Sequence, residues 1–161
     1  PLQDPFPIYV GGHNIASVER AAKWGRGWLP GWRPIEELKE RIAHLREAAV
    51  AHGRDPSEIE IAPQFSVSVG KTMEEAEARY MASGLVAHRV SLSYTGRDLT
   101  RQVDANLVGT PEIIREKVAR LAEIGIDHCC ALMFPADTID EMTEQIRWFG
   151  ESVVANSTPP P

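Results

Sequence analysis

The stretch Pro7-Ile8-Tyr9-Val10-Gly11-Gly12-His13-Asn14 decides the fold class of this chain. It continues a short apolar run, Phe6 to Val10, that is typical of a buried strand, and the two glycines that follow allow a tight turn. Asn14 is a favourable N-cap for the helix expected next, which has a narrow apolar stripe and stops at Gly25. The stretch therefore predicts a buried strand that leads through a tight turn into a helix.

The same alternation of strand and helix continues along the chain. Pro34 to His52 has its apolar residues on one face and predicts a helix, and Thr72-x-x-Glu75, Thr110-Pro111 and Thr138-x-x-Glu141 each start another. In the last helix one face is expected to hold Ile139, Met142, Ile146, Phe149 and Val153. The four expected strands are Phe6–Val10, Gly27–Leu29, Ile59–Val69 and Ile126–Phe134, whereas Leu85 to Val108 shows no clear pattern.

Strands that alternate with helices, with apolar runs as continuous as Ile126 to Phe134, indicate an α/β fold whose parallel sheet is covered on both sides. Two architectures fit: a doubly wound open sheet, or part of a (β/α)8 barrel, which normally needs about 250 residues. The third strand alternates in polarity. If Phe65, Val67 and Val69 face the helices of a barrel, its interior is unusually polar, because it then holds Gln64, Ser66 and Ser68.

The 161 residues are 43% hydrophobic and 25% charged, and 17 basic against 23 acidic side chains give a net charge of −6. This composition predicts a globular domain and, without a basic field, no nucleic-acid partner. The longest apolar run, Cys129 to Phe134, is too short to span a membrane and no signal segment opens the chain, so we expect a cytoplasmic protein with no membrane partner. Adjacent Cys129 and Cys130 argue against a disulfide framework and a spaced zinc site, and we expect both to be reduced and buried. No metal site is predicted.

Four motifs follow one another along the chain. They are Pro7 to Gly12, then Arg20-Ala21-Ala22 with Gly27-Trp28, then Gly53-Arg54-Asp55-Pro56, and finally Val108-Gly109-Thr110-Pro111-Glu112 running on to Gly125-Ile126-Asp127-His128. Together they closely resemble the C-terminal half of the luciferase-like flavin- or F420-dependent oxidoreductases, over about Pro5 to Val153. The resemblance implies that residues 1–155 form a partial (β/α)8 TIM barrel, corresponding to strands 5–8 with their helices. Residues 156–161 are small, polar and Pro-rich, and we expect a disordered tail there.

The resemblance also implies FMN or coenzyme F420 as the cofactor, with its phosphate at Gly11, Gly12, His13 and Asn14. From the residues alone, both a plain tight turn and an anion site at a helix N-terminus fit this segment. His13 is either a donor or acid beside that phosphate or a surface histidine. Trp32 and Arg33 follow the second strand and are candidates for binding a planar or acidic small-molecule substrate, with packing as the alternative. No catalytic residue is identified.

The other histidines have simpler interpretations. His44 and His52 lie on a charged helix and need no function, and His128 is expected to be structural. His88, Arg89 and Arg97 fall in the stretch without a clear pattern, where a solvated surface is favoured over contact with an anionic substrate.

Two functions from different classes follow. The first is an oxidoreductase or monooxygenase domain that uses reduced FMN or F420 and is incomplete and inactive without the N-terminal half, which supplies much of the pocket in the family. The second is a non-catalytic half-barrel module for binding or assembly. A half-barrel exposes strand edges, so we expect a homodimer or pairing with the missing N-terminal half. Another phosphate-binding barrel enzyme, such as an isomerase, is a weaker alternative.

Overall fold

The computed structural model describes residues 2–4, 6–92 and 100–156, and in these ranges strands alternate with helices. The strands are β1 (Tyr9–Gly11), β2 (Gly27–Leu29), β3 (Glu60–Ile61), β4 (Gln64–Val69), β5 (Leu107–Gly109) and β6 (Ala131–Met133). The helices are α1 (Ile15–Trp24), α2 (Ile35–Ala51), α3 (Met73–Ala82), α4 (Gly84–Ser91), α5 (Pro111–Glu123) and α6 (Ile139–Phe149), followed by a π-helical turn (Gly150–Val154). The α/β class is therefore confirmed. Arg97 and positions 157–161 of the expected tail lie outside the described residues.

One compact unit comprises residues 1–65 and 121–131. Its sheet has the order β1-β2-β3 with parallel neighbours, and Tyr9 lies opposite Gly27 and Trp28 opposite Ile61. Helices α1 and α2 pack against each other. Buried apolar side chains from β2 and both helices form its core, which includes Val18, Ala21, Ala22, Trp28, Leu38, Ile42, Leu45 and Ala49.

The second unit comprises residues 66–120 and 132–161. Its sheet has the order β5-β4-β6, and β4 and β5 are parallel with Val67 opposite Leu107. Ala76 and Tyr80 of α3, Val86 of α4 and Val108 of β5 form a buried cluster. Beside it, the half-buried Lys117 ammonium donates to three carbonyl oxygens in residues 103–108, at 2.9 to 3.2 Å.

Helices α1, α3 and α6 start where the sequence places them, because each has its expected cap. The Ser17 N–H donates to Asn14 Oδ1 at 2.8 Å. The Glu75 N–H donates to Thr72 Oγ1 at 3.2 Å, and the Glu141 N–H donates to Thr138 Oγ1 at 3.1 Å. These side chains satisfy amide groups that a helix leaves without a partner in its first turn.

The single strand expected from Ile59 to Val69 is wrong, because the structure divides it into β3 and β4, which belong to different sheets. Pro63 lies at the division and has no N–H to offer a ladder. The expected orientation of the serines is also wrong. Ser68 Oγ donates to the Ala76 carbonyl of α3 at 2.9 Å, and Ser66 Oγ accepts from Arg89 of α4 at 3.0 Å, so both serines face the helices.

The long strand expected from Ile126 to Phe134 is wrong as well, since only Ala131–Met133 (β6) forms a strand there. The Ile61 N–H donates to Asp127 Oδ2 at 2.7 Å, so a carboxylate occupies the place that a ladder carbonyl would take. Cys130 is exposed rather than buried, whereas Cys129 is half-buried and burial raises the pKa of its thiol to about 11. Both cysteines are free thiols. The stretch from Leu85 to Val108, which shows no clear pattern, contains α4 and β5.

Helix α6 is rotated from the orientation that its apolar pattern predicts. Phe149 is buried as expected, but Ile139 is 77% exposed, and Met142 and Ile146 are also exposed. The buried Gln145 takes their place: its Oε1 accepts the Val69 N–H at 2.8 Å and its Nε2 donates to the Val69 carbonyl at 3.1 Å. The Gln145 amide gives the buried Val69 N–H its acceptor and shares the Val69 carbonyl with the Arg79 guanidinium, which donates to it at 2.6 Å.

Candidate functional site

The turn that follows β1 is held by hydrogen bonds from its neighbour β2. Gly12 has a φ of +107°, a conformation that L side chains rarely adopt. Its N–H donates to the Leu29 carbonyl at 3.2 Å, and its carbonyl accepts from the indole Nε1 of the buried Trp28 at 2.7 Å. The predicted tight turn is therefore a fixed feature of this unit, with glycine required at its centre.

The N-terminus of α1 begins directly after this turn. The Ser17 N–H is capped by Asn14, but the N–H groups of Ile15 and Ala16 have no acceptor among the described residues. Both of these residues are exposed. Free amide donors at the positive end of a helix dipole attract anions, so this end of the turn has the chemistry of an anion site.

Ser17, which the sequence analysis did not single out, packs against the turn. Ser17 is buried, and a β-carbon placed on Gly12 would lie 2.6 Å from its Oγ. That Oγ accepts from the Arg20 guanidinium at 2.9 Å. The sequence signal for Ser17 is its place as the polar member of the buried stripe Ser17, Val18, Ala21 and Ala22 on α1.

Trp32 and Arg33 follow β2, so they lie at the same edge of the sheet as the turn after β1. The Arg33 guanidinium stacks over the Trp32 ring at 5.8 Å from its centroid and donates to the Trp32 carbonyl at 2.8 Å. Arg33 Nε also lies 3.4 Å from Glu37 Oε1. Trp32 is buried, which makes it a packing residue to a greater extent than its sequence context indicates.

The histidines occupy different environments. His13 in the turn is half-buried, whereas His88 and His128 are exposed. His44 Nε2 lies 2.6 Å from Glu19 Oε1, and His52 Nε2 lies 3.9 Å from the other carboxylate oxygen. These contacts are consistent with the interpretation of His44 and His52 as members of a charged helix surface.

The solvated surface favoured for Arg89 is wrong, because its side chain is buried. The guanidinium donates to Tyr80 Oη at 2.6 Å and to Ser66 Oγ at 3.0 Å. Burial raises the pKa of the Tyr80 hydroxyl, against an opposing effect of the Arg89 charge. Arg89 thus belongs to a buried polar network of the second unit.

Within residues 2–4, 6–92 and 100–156, no group of three or more His, Cys, Asp or Glu side chains is arranged to hold a metal ion. None of the helices in these ranges has both the length and the apolar character that a bilayer crossing requires.

Comparison with solved structures shows which fold these units belong to. A monooxygenase of Streptomyces bottropensis, RslO1, matches with 24% identity and a TM-score of 0.70, over 94% of this chain and 48% of its own. The coenzyme F420 dependent tetrahydromethanopterin reductase of Methanopyrus kandleri matches with 16% identity and a TM-score of 0.67, over 96% of this chain and 52% of its own.

A third match is a type II Baeyer-Villiger monooxygenase of Pseudomonas putida, solved in complex with FMN. It has 20% identity and a TM-score of 0.63, over 96% of this chain and 50% of its own. The chain thus spans about half the length of these structures, and its fold is that of a partial (β/α)8 barrel. The sequence model of the luciferase-like monooxygenases matches residues 1–128. This chain belongs to the luciferase-like monooxygenase family.

Proposed function

We propose that this chain is the C-terminal half of a luciferase-like oxidoreductase or monooxygenase that uses reduced FMN or coenzyme F420. The observation that carries the proposal is the turn between β1 and α1, where glycine at a positive φ is followed by free amide donors. Neighbours of the same fold include an FMN complex and an F420-dependent reductase, which supports these two cofactors over others.

The residues of the turn fit a phosphate group. The N–H groups of Ile15 and Ala16 would donate to its oxygens, while Gly11, Gly12, His13 and Asn14 would line its approach. The bound cofactor supplies the redox chemistry, and the residues of this chain bind and orient it. His13 is half-buried in the turn, where an imidazole could donate a further hydrogen bond or a proton to the phosphate.

Trp32 and Arg33 are proposed to bind the substrate. They follow β2 at the sheet edge that also holds the turn, and in (β/α)8 enzymes this carboxyl edge is where active sites lie. The Arg33 guanidinium lies 5.8 Å from the centroid of the Trp32 ring, and a cation beside an aromatic ring would suit a planar or acidic small molecule.

The phosphate site is tested by the substitution Gly12→Val in this chain combined with an N-terminal half-barrel of the family. A valine must leave the positive φ and displace Ser17, so the turn loses its shape. We expect FMN or F420 affinity, measured by fluorescence titration, to fall by a factor of about ten or more.

The matched control is Gly31→Val, because a β-carbon at Gly31 meets no atom within 4 Å and its backbone does not lie at positive φ. The control should bind the cofactor as the unsubstituted chain does. Equal affinity of the Gly12→Val chain, with its circular dichroism spectrum unchanged, would contradict the assignment of this turn.

A second proposal concerns assembly, either as a homodimer or with a separate N-terminal half. β1 is an outer strand of its sheet, and α6 presents Ile139, Met142 and Ile146 to solvent. Exposed strand edges and apolar helix faces of this kind are normally covered.

Light scattering of the purified chain tests the assembly. We expect a dimer, or aggregation that an N-terminal half-barrel suppresses. A soluble monomer of 17.8 kDa whose unfolding is cooperative and independent of protein concentration would overturn the proposal.

A non-catalytic half-barrel that binds or assembles remains the alternative function, favoured by the same exposed residues of α6. The absorbance spectrum separates the two functions. A complemented chain that takes up FMN or F420 supports the oxidoreductase, whereas a complemented chain that takes up neither supports the binding module.

A further inference from the structure

A cleft of about 730 Å³ lies at the amino ends of β1, β2 and β3, the opposite end of these strands from the turn at Gly12. It is formed wholly by the unit that comprises residues 1–65 and 121–131. Its volume falls within the range of small-molecule sites in proteins. The proposed phosphate and substrate residues do not contribute to it, so it would be a separate site.

One part of the cleft wall is apolar and exposed. Phe6 and Trp24 are each 63% exposed, and Ile8 is exposed as well. The Lys23 ammonium lies 4.6 Å from the centroid of the Trp24 ring, a cation–π contact within the chain itself. Lys23 already occupies a face of the Trp24 ring, so this wall suits the apolar body of a ligand and the cationic group must be bound elsewhere in the cleft.

The basic groups that line the cleft already have acceptors. Arg26 donates to Glu60 Oε1 at 3.1 Å and to the Glu58 carbonyl at 3.3 Å. Arg54 donates to the Ala22 carbonyl at 2.8 Å and more weakly to that of Ala21. Both guanidinium groups therefore bind acceptors within the chain, and an anionic ligand would have to compete with these acceptors.

Two of the three carboxylates in the cleft can still accept hydrogen bonds or pair with a cation. Glu60 is engaged, because it accepts from Tyr9 Oη and from Arg26, and the Tyr9 hydrogen bond contributes most to lowering the pKa of its carboxyl. Asp4 and Glu58 are exposed, and their carboxylates make no hydrogen bond or ion pair with a described residue. The charged groups of the cleft that have no partner among the described residues are therefore carboxylates.

We propose that this cleft binds an organic cation, an amine or quaternary ammonium with an aromatic or alkyl body. The apolar body would lie among Phe6, Ile8 and Trp24, and the cationic group would bind the carboxylates of Asp4 and Glu58. The net charge of −6 also favours a cation. The inference is independent of the proposed cofactor site, because the two lie at opposite ends of the strands.

The test is isothermal titration of the full chain at neutral pH with 2-phenylethylammonium, at a salt concentration of about 0.15 M so that weak surface attraction is screened. We expect a dissociation constant on the order of 1 mM or below, as suits so small a ligand. 2-Phenylethanol and 3-phenylpropionate have similar bodies without the cation and should bind at least about tenfold more weakly.

Glu58→Gln removes one carboxylate at an exposed position and should weaken binding about threefold or more, and Trp24→Ala should weaken it further. The matched controls are Glu47→Gln and Val50→Ala, exposed residues of α2 outside the cleft, which should leave the affinity unchanged. The proposal would be overturned by equal affinity for the three probes or by no saturable binding of the cation. It would also be overturned if the two control variants lost affinity while Glu58→Gln and Trp24→Ala did not. Gly12→Val should leave this binding intact, so failure of the cofactor site would be seen separately.

Discussion

The isolated chain should show no turnover with reduced FMN or F420, and adding an N-terminal half-barrel of the family should restore it. The chain spans 48% of RslO1 and 52% of the Methanopyrus reductase, and its described strands close no barrel. An active site that is open on one side cannot exclude water or hold a ring and a substrate in a reactive geometry. We therefore expect a difference of several orders of magnitude between the two preparations.

The measurement is substrate oxidation under single-turnover and steady-state conditions, with each half alone and with the two mixed. A rate on the order of 1 per second or faster from this chain alone would contradict the prediction, because that is a rate typical of complete enzymes. The matched control is the Gly12→Val chain mixed with the same N-terminal half. It should assemble, as judged by light scattering, yet show much weaker saturation with cofactor.

The substitution Trp28→Ala should destabilise the chain by about 3–5 kcal/mol, a large share of the total stability of an ordinary domain. Trp28 is fully buried in β2, and its indole N–H is the donor that holds the Gly12 carbonyl at 2.7 Å. The substitution thus opens a cavity and leaves a part-buried carbonyl without its donor. Urea unfolding followed by circular dichroism measures the loss.

Two further variants separate the cavity from the hydrogen bond. Trp28→Phe keeps an aromatic ring but removes the N–H, so we expect a smaller loss of about 1–3 kcal/mol together with weaker cofactor binding. Trp24→Ala removes an indole that is 63% exposed and should change stability by no more than about 0.5 kcal/mol. If Trp28→Phe were as stable as the unsubstituted chain, the hydrogen bond to Gly12 would have no part in holding the turn.

Much of the candidate site can be predicted from the sequence because its signals are local. Asn14 caps α1 through an amide three residues away, and Gly12 adopts the positive φ that a tight turn requires. The support beneath the turn is different. Ser17 lies beside Gly12 in the first turn of α1, and Trp28 donates to Gly12 from another strand, and no sequence motif indicates either contact.

The wrong predictions share a cause. At each position, a contact with residues distant in sequence overrides what the local sequence pattern indicates. Ile59 to Val69 alternates as one strand should, yet Pro63 cannot donate to a ladder and the chain changes sheet there. Asp127 replaces a ladder carbonyl opposite Ile61 and shortens the next expected strand. Arg89 is in a stretch without pattern, and its burial depends on Tyr80 and Ser66.

The sequence by itself determined the α/β class, the starts of the helices other than α4 and the turn after β1, since caps, glycines and apolar periodicity act within a few residues. Tertiary structure alone decided which face of α6 is covered. The apolar stripe of that helix predicts burial of Ile139 and Ile146, but the buried Val69 N–H needs an acceptor, and Gln145 supplies it from 76 residues away. An unpaired buried N–H costs about 1–3 kcal/mol, and this demand on α6 exists only once the chain has folded and Val69 lies beside the helix.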